Sequence, residues 1–86
     1  MALYFLSYDL RKRRDYDKLY EELGRFDAAQ VLESLYAFTR INTSSEKLRA
    51  HFSRFIDTDD GLIVIKASEW AGRKMTKSPP TPTSWN

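Results

Sequence analysis

The run Leu3-Tyr-Phe-Leu-Ser-Tyr8 is apolar on both faces of an extended chain, with Leu3 and Phe5 on one side and Tyr4, Leu6 and Tyr8 on the other. Such a strand has to be buried, and its burial fixes the place of the residues just beyond its end. Those residues are Asp9 and then, after Leu10, four consecutive cations: Arg11, Lys12, Arg13 and Arg14. A carboxylate at a strand tip suits a hard divalent metal ion, and neighbouring cations suit phosphates. The stretch predicts a protein that handles a polyanion. The same residues also fit a plainer role, in which Asp9 opens a turn and caps the next helix beside a solvated basic loop.

With 86 residues the chain is expected to form one domain. A chain that short buries about 60–65% of its unfolded surface, so it gains much from a partner. Hydrophobic residues at 42% and aromatics at 14% call for a packed core rather than disorder. The absence of cysteine excludes disulfides, thiolate catalysis and Cys-based zinc sites, and a single histidine, His51, excludes multi-His metal sites. No apolar run approaches a membrane span, and the first residues lack a basic leader, so no membrane role and a cytoplasmic protein are expected. The formal net charge is +2; the run Arg11–Arg14 supplies four positive charges and the remainder sums to −2. The basicity is therefore local.

A first strand spans Leu3 to Asp9. A helix is predicted from about Asp15 to Arg25, with Tyr16, Leu19, Tyr20 and Leu23 on one buried face, Asp15 as its cap and Gly24 as its stop. Ala28 to Ile41 is too long for one ordinary strand; Glu33-Ser34 reads as a tight hairpin between strands two and three. Thr43 with Glu46 makes a capping box for a second helix that buries Leu48, Phe52 and Phe55. Asp57-Thr-Asp-Asp-Gly61 is a turn, and Leu62 to Ile65 is strand four. Residues 1–75 form the domain, and 76–86, with Lys77-Ser-Pro-Pro-Thr-Pro-Thr-Ser, have no apolar pattern and are expected to be disordered.

The order β-α-β-β-α-β predicts an α+β, ferredoxin-like sandwich: an antiparallel sheet with both helices on one face. The helices cover one face only, yet strands one, three and four are apolar on both. An open apolar sheet face is unusual on a monomer, which predicts a homodimer with the sheets face to face.

Several stretches carry a family resemblance. Tyr8-Asp-Leu10 closing the first strand, the helix start Asp15-Tyr-Asp-Lys-Leu19, Val31-Leu-Glu-Ser-Leu-Tyr-Ala-Phe38 and Asp59-Asp-Gly-Leu-Ile-Val-Ile65 resemble the CRISPR-associated protein 2 family over roughly residues 3 to 72, and most closely its uncharacterised SinR-like bacterial relatives. The resemblance implies a ferredoxin-like dimer acting on RNA or DNA. It implies a metal-dependent endonuclease in which Asp9 is the catalytic residue and the ligand of Mg²⁺ or Mn²⁺, meeting its symmetry mate across the dimer axis. It equally admits a non-catalytic adaptor, in which Arg11, Lys12, Arg13 and Arg14 hold phosphates and Asp9 is dispensable. The chain has no long strand-rich extension beyond strand four, which argues against docking to an integrase-type partner.

The remaining candidates read more plainly. Asp57, Asp59 and Asp60 are turn residues, because the glycine offset and the missing glutamate do not suit a calcium loop. His51 is expected to be exposed, and Glu33 to face solvent near the hairpin. Trp70 anchors either a partner subunit or the end of its own core. Pro79-Pro-Thr-Pro82 fits the spacing of a proline-rich recognition segment. A third class, a toxin-like protein-interaction module with no nucleic-acid role, uses the same fold.

Overall fold

A computed structural model describes residues 1–11 and 17–82. The elements run β1 (Ala2–Asp9), α1 (Asp17–Arg25), β2 (Ala29–Leu32), β3 (Leu35–Arg40), α2 (Ser45–Phe52), a 3₁₀ turn at Ser53–Phe55, and β4 (Gly61–Ala67). The four strands form one sheet in the order β2-β3-β1-β4, with every neighbouring pair antiparallel. This is the ferredoxin-like sheet, with β1 in the interior and β4 at an edge. Glu33 and Ser34 form the two-residue turn between β2 and β3. The predicted helix start at Asp15 and Tyr16 lies outside the described residues.

The two faces of β1 go to different places. Tyr4 and Leu6 pack with Phe38 of β3 against Leu19 and Leu23 of α1 and Leu48 and Phe52 of α2. Phe26 closes this core, its ring 5.1 Å from Phe38 and 4.9 Å from Phe52, with the Arg40 guanidinium 4.0 Å above it. On the opposite face Leu3, Ala37 and Val31 are buried.

That second burial differs from the expectation of a face left open for a partner. Met75 packs on the Leu3–Val31–Ala37 cluster, and the Thr76 N–H donates to the Val31 carbonyl at 2.9 Å. The chain beyond β4 thus turns back over its own sheet. Pro79 and Pro82 are buried too, so residues 76–82, expected from sequence to be disordered, include docked side chains; 83–86 lie outside the described residues. Proline rings can dock without any apolar period, because their fixed φ lowers the entropy lost on ordering. On β4 this face still exposes the apolar side chains of Ile63 (54% exposed) and Ile65 (48%).

Helix α1 ends at Arg25, as the sequence predicts, but Gly24 lies within its last turn and is not the residue that stops it. The helix runs to Arg25 and closes through paired bonds from the Ala28 N–H to the Leu23 carbonyl and from the Asp27 N–H to the Gly24 carbonyl, with Asp27 at φ 53°. This is a Schellman ending with aspartate, which tolerates that conformation, at the left-handed position. The cap of α2 is Ser44 rather than Thr43: its Oγ accepts the Lys47 N–H at 3.1 Å. The Thr43 carbonyl is held instead by the Tyr4 hydroxyl at 3.2 Å. Among the described residues no helix is long and apolar enough to cross a membrane.

Candidate functional site

Strand β1 delivers Asp9 to the end of the sheet, opposite Gly61 of β4. Alternation puts Asp9 on the side of Leu3, Phe5 and Ser7, the face the helices do not cover. Its carboxylate is 72% exposed. A buried strand therefore holds an open anionic group at a fixed place.

Arg11 reaches back onto that group. Its Nε donates to Asp9 Oδ2 at 3.2 Å, and its Nη1 donates to the Asp59 carbonyl at 3.0 Å. The Arg11 backbone N–H donates to Asp60 Oδ1 at 2.8 Å, while Asp60 Oδ2 accepts the Asp57 N–H at 2.9 Å. The turn Asp57–Gly61 thus has a job the sequence did not reveal: it seats Arg11 beside Asp9. A Cβ at Gly61 would lie 2.9 Å from Arg11 Nη2, so the close approach of this guanidinium depends on glycine there. Lys12, Arg13 and Arg14, predicted to bind phosphate with Arg11, lie outside the described residues.

Beside Asp9, Tyr8 points to the helix-covered side and joins Tyr36 of β3 and Tyr20 of α1. Ring centroids lie 6.2 Å apart for Tyr8 and Tyr36, and 6.3 Å for each of the other two pairs. The Tyr8 hydroxyl is 3.2 Å from that of Tyr20 and 3.5 Å from the Glu33 carbonyl. Burial, and next its bond with Tyr20, push the Tyr8 phenol well above its ordinary value; burial likewise raises Tyr36. At neutral pH Tyr8 is accordingly a hydrogen-bonding phenol and not a base. Ser7 sits on the other face, between Leu35 and Ile63.

The donor chemistry at Asp9 suits a hard cation, which takes carboxylate oxygens. The described residues of one chain supply too little for a closed shell. Arg11 already shares Oδ2, Asp60 is engaged with two backbone N–H groups, and among the described residues no group of three or more His, Cys, Asp or Glu converges on a metal-sized site.

His51 is not the exposed residue the sequence suggests. Its Nε2 lies 2.6 Å from the buried Glu22 carboxylate, and its ring packs beside Phe26, Phe52 and Phe55. A readable signal existed: Glu22 follows Leu19 by three residues on the buried face of α1, and a buried carboxylate needs a partner.

A family model described as CRISPR associated protein Cas2 matches residues 1–75. No solved structure matches the chain.

Proposed function

The chain belongs to the CRISPR associated protein Cas2 family, and on that premise we propose that it works as a homodimer on RNA or DNA phosphates, with metal-dependent phosphodiester cleavage centred on Asp9. The observation that carries this reading is the open Asp9 carboxylate, fixed by a buried strand on the helix-free face and leading directly into the run Arg11–Arg14. A face-to-face dimer brings that face of one copy toward that of the other. The exposed pair Ile63 and Ile65 supplies apolar surface for the contact.

Asp9 of both copies would hold Mg²⁺ or Mn²⁺. Such a cation supplies charge neutralisation at phosphorus and lowers the pKa of a water. The chain's own residues do the rest. The basic run draws in and positions the backbone, and Tyr8 keeps its proton. Arg11, already fixed by Asp59 and Asp60, presents its guanidinium to a phosphate next to Asp9.

A second reading, the non-catalytic adaptor, is favoured by one contact: Arg11 neutralises Asp9 at 3.2 Å in the single chain. In that reading the same surface holds phosphates and breaks nothing. Neutralising Arg11, Lys12, Arg13 and Arg14 tests what both readings share. It should weaken binding at low salt and flatten the log–log salt dependence by about 0.9 for each duplex phosphate no longer held. An unchanged slope would remove the nucleic-acid role from this loop.

A further inference from the structure

At the other end of β1 the structure has a cleft of about 510 Å³, on the helix-covered side of the sheet. Its floor is Ala2 and Tyr4. Arg40 of β3, opposite Ala2 in register, and Lys66 of β4, opposite Tyr4, flank it. The turn from β3 into α2 brings Asn42 and Thr43 to its rim, and Ser68 follows from β4. An alanine on the floor, where larger side chains fill the neighbouring rows, leaves the depression open.

The side chains that line it include two cations, Arg40 and Lys66, and no carboxylate. At the Asp9 end the cations come with carboxylates, Arg11 being paired to Asp9, whereas no carboxylate lines this cleft. Lys66 is exposed and makes no ion pair or hydrogen bond among the described residues. Arg40 is held before any ligand arrives: its guanidinium lies over Phe26, with Nη1 donating to the Thr39 carbonyl at 3.3 Å and Nη2 to the Arg25 carbonyl at 3.4 Å. Guanidinium donors remain beyond those two bonds, and a planar fork fixed in advance loses little entropy on taking an anion. The end of α2 is not the source of attraction, since Ser44 already caps it.

We propose that this cleft is a second anion site, taking the terminal phosphate of a nucleotide between Arg40 and Lys66. A phosphomonoester carries close to two charges and several acceptor oxygens, which matches two cations supported by the Thr43 and Ser68 hydroxyls and the Asn42 amide. A carboxylate would use fewer of those donors. The volume exceeds that of a bare ion and falls within the usual range for small organic ligands, about 300–1,000 Å³. The exposed Ile41 side chain gives the rest of the ligand an apolar edge. At about 3.3 Å per residue, the length of β1 separates this site from Asp9 by roughly 23 Å. It stands independently of the reading given to Asp9.

The phosphate has two sources, a free nucleotide or the 5′ end of a strand. The test is an amide NMR titration of the full chain with AMP, adenosine, and a trinucleotide with or without a 5′ phosphate. AMP should shift the amides of residues 41–43 and 66–68, and adenosine should not. Lys66→Ala, a change at an exposed position, should weaken AMP about ten-fold, the equivalent of about 1.4 kcal/mol. Tighter binding of the phosphorylated trinucleotide than of AMP assigns the phosphate to a strand end; equal binding assigns it to a free nucleotide. Arg11→Ala should leave the AMP response intact, so that failure of the Asp9 reading and failure of this one are told apart. No response to AMP, equal shifts with adenosine, or unchanged affinity in Lys66→Ala would overturn the proposal.

Discussion

His51 Nε2 lies 2.6 Å from Glu22 Oε2, which joins α2 to α1 through a side chain only 9% exposed. The Arg25 guanidinium adds a second contact at 2.9 Å. The bond from His51, more than that from Arg25, holds the Glu22 carboxyl below its ordinary value of 4.5 against the opposing effect of burial. A carboxylate with a lowered folded pKa stabilises the fold above the unfolded value, and that contribution disappears as pH falls through the folded one. Glu22→Gln should therefore cost about 1–3 kcal/mol at pH 7, and the difference from wild type should narrow below about pH 4.5. Urea midpoints across that range check it; a gap that stays constant down to pH 3 contradicts it.

The seat of Arg11 gives a second expectation. In Gly61→Ala the new Cβ meets Arg11 Nη2, the free end of a flexible side chain, so the guanidinium moves and the fold is little affected, by less than about 1 kcal/mol. Asp9 Oδ2 is then released from its internal cation. Paramagnetic broadening at Asp9 by Mn²⁺ should appear at lower Mn²⁺ concentration in Gly61→Ala and in Arg11→Ala than in wild type. Identical broadening profiles would show that Arg11 does not compete for the carboxylate.

The two faces of the sheet separate folding from assembly. Leu6 and Phe38 are fully buried against the helices, and a glutamate at either should unfold the chain, since an unpaired buried charge costs several kcal/mol. Ile65→Glu lies on the half-exposed face of β4 and should leave a folded protein. Sedimentation should give about twice the chain mass of 10.1 kDa for wild type, and the chain mass for Ile65→Glu. A wild type that sediments at the chain mass at micromolar concentration refutes the dimer.

Truncation after Thr76 removes the buried Pro79 and Pro82. A loss of about 1 kcal/mol corresponds to a fall of about 4–8 °C in Tm for a domain of this size. Calorimetry should show a fall of that order; an unchanged Tm would mean the segment contributes nothing to the fold.

The alternation in β1 and β3, the hairpin at Glu33-Ser34 and the turn ending at Gly61 were legible because each is a local pattern with a local cause. From them came the element order β-α-β-β-α-β and the strand-tip position of Asp9. The contacts that complete the picture join residues far apart in sequence. Arg11 finds Asp59 and Asp60 across 48 and 49 positions, and no periodicity announces such a pairing. His51 is similar: alone it reads as a surface residue, and its partner Glu22 lies 29 positions away. One apolar sheet face was expected to be open; Met75 and Thr76, which cover Leu3, Val31 and Ala37, belong to a segment with no apolar period. The cap falls at Ser44 and not Thr43, whose carbonyl is bonded to the Tyr4 hydroxyl 39 residues away.

In the proposed function Asp9 serves phosphodiester chemistry on a nucleic acid held by the neighbouring cations. The most direct measurement tracks binding and Mg²⁺- or Mn²⁺-dependent cleavage of labelled RNA and DNA by wild type and Asp9→Asn in the same samples. Wild type should cleave with metal, and Asp9→Asn should not. Metal-free affinity in the variant should equal or exceed that of wild type, because a negative charge beside the phosphates is gone. Salt-sensitive binding without cleavage in wild type, or undiminished cleavage by Asp9→Asn, would contradict the claim.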